Sequence, residues 1–196
     1  MSKFKALSYT TLPKETSIQA PEFDQQNSVN LNAPSLTVMT DLRTTRPFCV
    51  SPTTSIRRAN DKMIACGVRL LFVVNGADYI YGIITSNDIL GEKPINYIHE
   101  HGGNREDILV QDVMCSTVHL EALDFDRVKR CRVGDIVETF QQHGRQHILV
   151  YAKDNKNNNV ICGLFSSTQI ERQTGHAIEI TPRANTFAEL EMAIAH

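Results

Sequence analysis

The sequence lacks the charge imbalance of a general nucleic-acid binder. Its 20 lysines and arginines stand against 22 aspartates and glutamates, for a net charge of −2 and a pI near 6.4. A chain without a bulk positive field is not expected to grip a phosphate backbone. Long apolar runs are also missing: the longest are of the size of Leu70 to Val74, far short of the roughly 20 residues that cross a bilayer. No membrane partner is expected. The opening residues, MSKFKALSYT, are basic but carry neither the apolar core nor the cleavage site of a secretory signal. No two cysteines share a CxxC spacing. Cys49, Cys66, Cys115, Cys131 and Cys162 form an odd set, four of them inside apolar or helical patterns, which fits reduced core residues of a cytoplasmic protein. There is no GxxxxGK[ST] loop, no serine in a GxSxG elbow and no carboxylate pair in a recognisable catalytic setting. Nothing here argues for an enzyme or a required cofactor.

What is present is a duplicated plan. The 196 residues are enough for one sizeable core or two small ones. Val38-Met39-Thr40 recurs 75 residues later as Val113-Met114-Cys115. Ile56 and Gly67 recur 77 residues on at Val133 and Gly144, and Gly82-Ile83-Ile84-Thr85 recurs 81 residues on as Gly163-Leu164-Phe165-Ser166. The drift falls in loops, notably where the turn at 75–78 becomes the longer stretch at 153–159. In the first copy, Thr53 or Thr54 is expected to cap a helix through Cys66, with Ile56, Ala59, Met63 and Ile64 on one face and Gly67 as its stop. The runs Leu70–Val74 and Ile80–Ile84 read as strands of a hairpin with Asn75-Gly76 in its turn. A second helix starts near Ser86. The other copy predicts a helix over Val133–Gln142, strands over His147–Tyr151 and Val160–Phe165, and a helix from Ser167.

The resulting division is an extended arm over 1–35, a first repeat over 36–103 with a long exit helix, a second repeat over 104–176, and a C-terminal segment over 177–196. Phe187, Leu190 and Ile194 suggest a short helix in that last segment. Units of this size bury too little surface alone, so the two sheets are expected to pack on each other.

Together, Val38-Met39-Thr40, the run Gly67 to Val74, Gly82 to Leu90 and their counterparts from Val113 to Ile170 resemble paired cystathionine-β-synthase-type domains, or CBS pairs, over roughly residues 36–175. The resemblance implies an α+β fold of tandem CBS domains, two β-α-β-β-α repeats packed through their sheets. Phe72 stands where the family usually has proline.

The segment Gly82 to Asp88 ends a strand and opens a helix, so free N–H groups and the helix dipole offer an anion site. Thr85 and Ser86 supply hydroxyls, and Asp88 is an acceptor-only carboxylate suited to ribose hydroxyls. The same residues also fit a plain helix cap with a first-turn acid. The resemblance implies adenosine-nucleotide contacts for this Thr-x-x-Asp motif. In the second copy Ser166 keeps the hydroxyl, but Gln169 replaces the carboxylate. Unequal sites are therefore expected, with Thr85/Asp88 the stronger. The resemblance further implies that Arg69 and His147 reach ligand phosphates and that Phe48, Val50 and Leu71 lie against the base. His99-Glu100-His101 reads as a solvated helix end rather than a metal site, and Arg127, Lys129, Arg130 and Arg132 as a solvated loop.

The implied function is a regulatory module, with no fused effector domain. It binds AMP, ADP, ATP or S-adenosylmethionine as a regulatory ligand, pairs as a homodimer through helical faces, and signals to an unknown effector protein. The alternative is a structural homodimer with vestigial nucleotide sites.

Overall fold

In a computed structural model, residues 7–17, 28–76 and 79–181 are described. The chain runs β1 (Thr40–Asp41), β2 (Cys49–Val50), α1 (Ile56–Cys66), β3 (Leu70–Val74), β4 (Ile80–Thr85), α2 (Ser86–Leu90) and α3 (Lys93–His101). It continues through α4 (Val110–Val113), β5 (Cys115–Ser116), β6 (Ala122–Asp124), α5 (Phe125–Val128), α6 (Val133–His143), β7 (His147–Lys153), β8 (Asn159–Ser166) and α7 (Ser167–Thr174). The fold is α+β, with helices packed on two four-stranded sheets. The expected C-terminal helix falls outside the described residues.

The elements form for local reasons. α1 buries Ile56, Ala59 and Met63 on one stripe, and its last turn closes on Gly67 at φ 65°, a left-handed stop that glycine adopts without steric cost. Two details differ from expectation. The cap is Ser55, whose hydroxyl accepts from the Arg58 N–H, rather than Thr53 or Thr54. Ile64 is 72% exposed, one step off the buried stripe. The single long exit helix is also two helices. After Gly91 the chain restarts at α3 with Pro94 in its first turn, where the missing N–H costs nothing.

Sheet order explains how the halves hold together. One sheet runs β2-β3-β4-β5 and the other β1-β8-β7-β6. Each takes an edge strand from the other half of the chain: β1 pairs antiparallel with β8, and β5 with β4. Gly82 and Gly163 permit this. A Cβ at Gly82 would stand 2.1 Å from the Cys115 carbonyl oxygen, and one at Gly163 would stand 2.6 Å from Met39 Sδ.

Residues alternate across β3 as the pleat requires. Leu71 and Val73 face a core shared with Ile56, Met63, Ile84 and Ile89. Leu70 and Phe72 face the second sheet and meet Leu149, with Ile83, Leu120 and Leu164 packed around them. A third apolar layer, centred on Phe140, Phe165 and Ile170, lies beneath α6 and α7. The sheets thus pack on each other. Among the cysteines only Cys162 is buried; the other four are partly exposed, because they sit at strand edges and helix ends rather than on the core stripes.

The end of the arm is tied down. Carbonyls of Leu31 and Ala33 accept from the Gly134 and Val133 N–H groups, which are among the amides a helix start leaves unpaired. Ser35, fully buried, donates its hydroxyl to the Val128 carbonyl at 2.6 Å. No helix among the described residues is long and apolar enough to cross a membrane.

Candidate functional site

The two motif helices start differently. At α2 the box is closed: Asp88 Oδ2 accepts from the Thr85 N–H at 2.8 Å and from the Thr85 hydroxyl at 2.7 Å, and Thr85 Oγ1 accepts from the Asp88 N–H at 3.3 Å. Asp88 Oδ1 pairs with Lys93 Nζ at 2.6 Å, and the Asp88 side chain is only 13% exposed. Both carboxylate oxygens are engaged, so this motif performs the capping role. Ser86 Oγ accepts from Arg69 Nε at 3.3 Å.

At α7 the motif is open. Ser166 occupies the cap position, but its hydroxyl makes no capping bond. Gln169 Oε1 accepts from the Thr40 hydroxyl at 3.1 Å, which anchors the amide through its oxygen. These residues line a cavity of about 370 Å³, within the range of small-molecule sites. Its wall also includes Arg46, Phe48, Arg69, His147, Thr168 and Arg172, with no aspartate or glutamate. Arg46 and Arg172 form no ion pair with any described residue.

His147 stands opposite Ser166 in the β7–β8 ladder. Burial pushes its imidazole down to about 4; the positive charge of Arg69 adds to this, and Asp88 pulls weakly the other way. At neutral pH it is uncharged and can donate one hydrogen bond. The fixed positive charge of the wall therefore comes from arginines, whose planar forks suit phosphate oxygens. The Ser167 N–H at the start of α7 is taken by the Gln146 carbonyl; the next amides of that turn add partial positive charge. Phe48, 43% exposed, supplies an aromatic surface.

Of the ten residues singled out from sequence, Phe48, Arg69, His147, Ser166 and Gln169 meet on this wall. Thr85, Ser86 and Asp88 do not line it. Val50 and Leu71 are corrections: both are buried in the core under α1, because the pleat turns them away from the facing sheet. The sequence reading missed Thr40, Arg46 and Arg172. Arg172 carried a signal, lying one helical turn beyond Gln169 on the same face. Arg46 carried none, since the turn that delivers it follows a strand traded between sheets. A larger open groove of about 1420 Å³ lies between the two hairpins, but none of the ten residues lines it. Among the described residues no group of His, Cys, Asp and Glu could hold a metal ion.

Two sheets that trade edge strands, each flanked by helices, make a duplicated module with a cavity beside one motif helix. A family model described as the CBS domain matches residues 38–94. A search of curated proteins finds no match. Among solved structures, an uncharacterized conserved protein from Pyrococcus horikoshii is 22% identical, covering 78% of this chain and 100% of that one at TM-score 0.53. The structure of CBSX2 in complex with AMP is 15% identical, covering 71% and 94% at TM-score 0.51. A third structure, a CBS domain, is 17% identical, covering 70% and 99% at TM-score 0.50. These likenesses show the fold. Residues 38–94 match the CBS-domain model, and the second half of the chain repeats the same plan of strands and helices.

Proposed function

We propose that this protein is a regulatory module that binds an adenosine-type nucleotide in the cavity beside α7 and passes its occupancy to an effector protein. The observation that carries this is the wall itself. Arg46, Arg69 and Arg172 converge there without a carboxylate, next to an uncapped helix start and an exposed phenyl ring. Phosphate goes to the arginines and the helix start, and the base lies against Phe48. That CBSX2 was crystallised with AMP supports the ligand class.

Asp88 serves α2 and Lys93, so the Thr85/Asp88 motif acts in structure and the Ser166/Gln169 motif in binding. The module works in the cytoplasm without a cofactor or catalytic turnover. It pairs as a homodimer through α1, α2 and α3, where Ile64, Leu90 and Ile95 stand 72%, 66% and 62% exposed.

A thermal-shift panel tests the reading. AMP, ADP or ATP at 100 times its Kd is expected to stabilise the folded chain by about 2.7 kcal/mol. A melting temperature unmoved by every adenosine ligand at millimolar concentration refutes it.

A further inference from the structure

Resting on that reading of the cavity, we propose that the preferred ligand carries a second phosphate on its ribose: an adenosine 3′,5′- or 2′,5′-bisphosphate rather than a 5′-monophosphate, a linear triphosphate or S-adenosylmethionine.

The two copies of the motif differ at its last position. In the first copy the motif ends in a carboxylate, an acceptor-only group that suits two hydroxyl donors and repels a phosphate. In the second copy Gln169 stands there, a neutral amide whose oxygen accepts from the Thr40 hydroxyl at 3.1 Å. Its amide N–H groups carry no negative charge to repel a phosphate and can donate to phosphate oxygens. One helical turn further, Arg172 reaches the same wall, about 4.5 Å along the α7 axis from Gln169. It has no carboxylate to satisfy it among the described residues. In dinucleotide-binding folds the same exchange separates two ligands: an acidic residue takes free ribose hydroxyls, and a nearby arginine accommodates a ribose phosphate.

The cavity is cationic at both ends. Arg69, bonded to Ser86, lies at the start of β3, beside Ser166 and His147. Arg172 lies six residues along α7 from Ser166, about 9 Å by helical rise. Two separated phosphomonoesters on one ribose match that spread, whereas a triphosphate concentrates its charge at one end. S-adenosylmethionine brings a sulfonium and an ammonium for which the wall holds no acid, and a single carboxylate for its three arginines.

Calorimetric titration of the full chain with AMP, the two bisphosphates, ATP and S-adenosylmethionine at physiological salt tests this. At least one bisphosphate is expected to bind ten or more times tighter than AMP, and tighter than ATP. Arg172→Gln is expected to bring the bisphosphate-to-AMP ratio near one, and Gln169→Asp to turn it in favour of AMP. AMP or ATP equalling both bisphosphates overturns this inference alone, as does a ratio that survives Arg172→Gln. Absence of heat with all five ligands overturns the nucleotide reading and this inference with it.

Discussion

Replacing Gly82 with alanine drives a methyl group into the strand that the second half lends to the first sheet. The new Cβ would lie 2.1 Å from the Cys115 carbonyl oxygen, 3.0 Å from its carbon and 3.1 Å from Ser116 Cα. All three atoms are backbone, so no rotamer change relieves the clash. β5 must move away by about 1 Å or more to reach ordinary contact, which disrupts the pairing of Gly82 with Ser116 and Ile83 with Cys115. Overpacking of this kind costs about 1–3 kcal/mol, and each weakened ladder bond adds about 1 kcal/mol. A loss of about 3 kcal/mol follows, or about 6–12 °C in Tm for a domain of this size. The pseudo-equivalent Gly163→Ala meets Met39 Sδ at 2.6 Å, the far part of a flexible thioether that can turn aside. Its loss is expected near 1 kcal/mol. Urea unfolding of both variants, followed by circular dichroism, checks the ordering. Equal losses, or a smaller one at Gly82, would refute the claim that the traded strand is held by backbone proximity.

Acid weakens the fold through His147. Its folded-state value of about 4 lies below the ordinary 6.5, so the unfolded chain binds the extra proton. Stability present above pH 6.5 is lost as pH falls toward 4, by up to about 3 kcal/mol. Melting curves between pH 7 and 4.5 should show that decline in the wild type and a flatter profile in His147→Gln. Asp41, which its hydrogen bonds to Arg43 hold at about 2 against an ordinary 3.8, contributes only below this window. Asp88→Ala removes the α2 box and the Lys93 pair, and should cost about 1–2 kcal/mol in chemical denaturation. An unchanged midpoint would contradict the capping role.

Most of the architecture is legible in the sequence, because local chemistry writes it. Gly67 and Gly144 mark helix ends, the β-branched runs mark strands, and the repeated order of landmarks marks two copies. The exchange of edge strands is not legible. β1 and β5 are two residues each, and nothing in Thr40-Asp41 or Cys115-Ser116 states which sheet they join. The site divided along the same line. Ser166, Gln169, Arg69 and His147, which line the cavity, are legible because repeat alignment points at them. Arg46 and Thr40 are not legible, because only the traded strand carries them to the cavity. The ion pair at Asp88 is not legible in the sequence, because Lys93 lies past a helix break. Five residues beyond Asp88, across the break at Gly91, that lysine turns the carboxylate into a buried-side ion pair.

The central claim is that nucleotide binds beside α7 and not at the Thr85/Asp88 motif. Its most direct test is calorimetric titration of AMP into the wild type, Arg46→Ala and Asp88→Ala. The account predicts at least tenfold weaker binding for Arg46→Ala, equivalent to about 1.4 kcal/mol, with Asp88→Ala within threefold of the wild type. Loss of binding in Asp88→Ala, with Arg46→Ala unaffected, would contradict it.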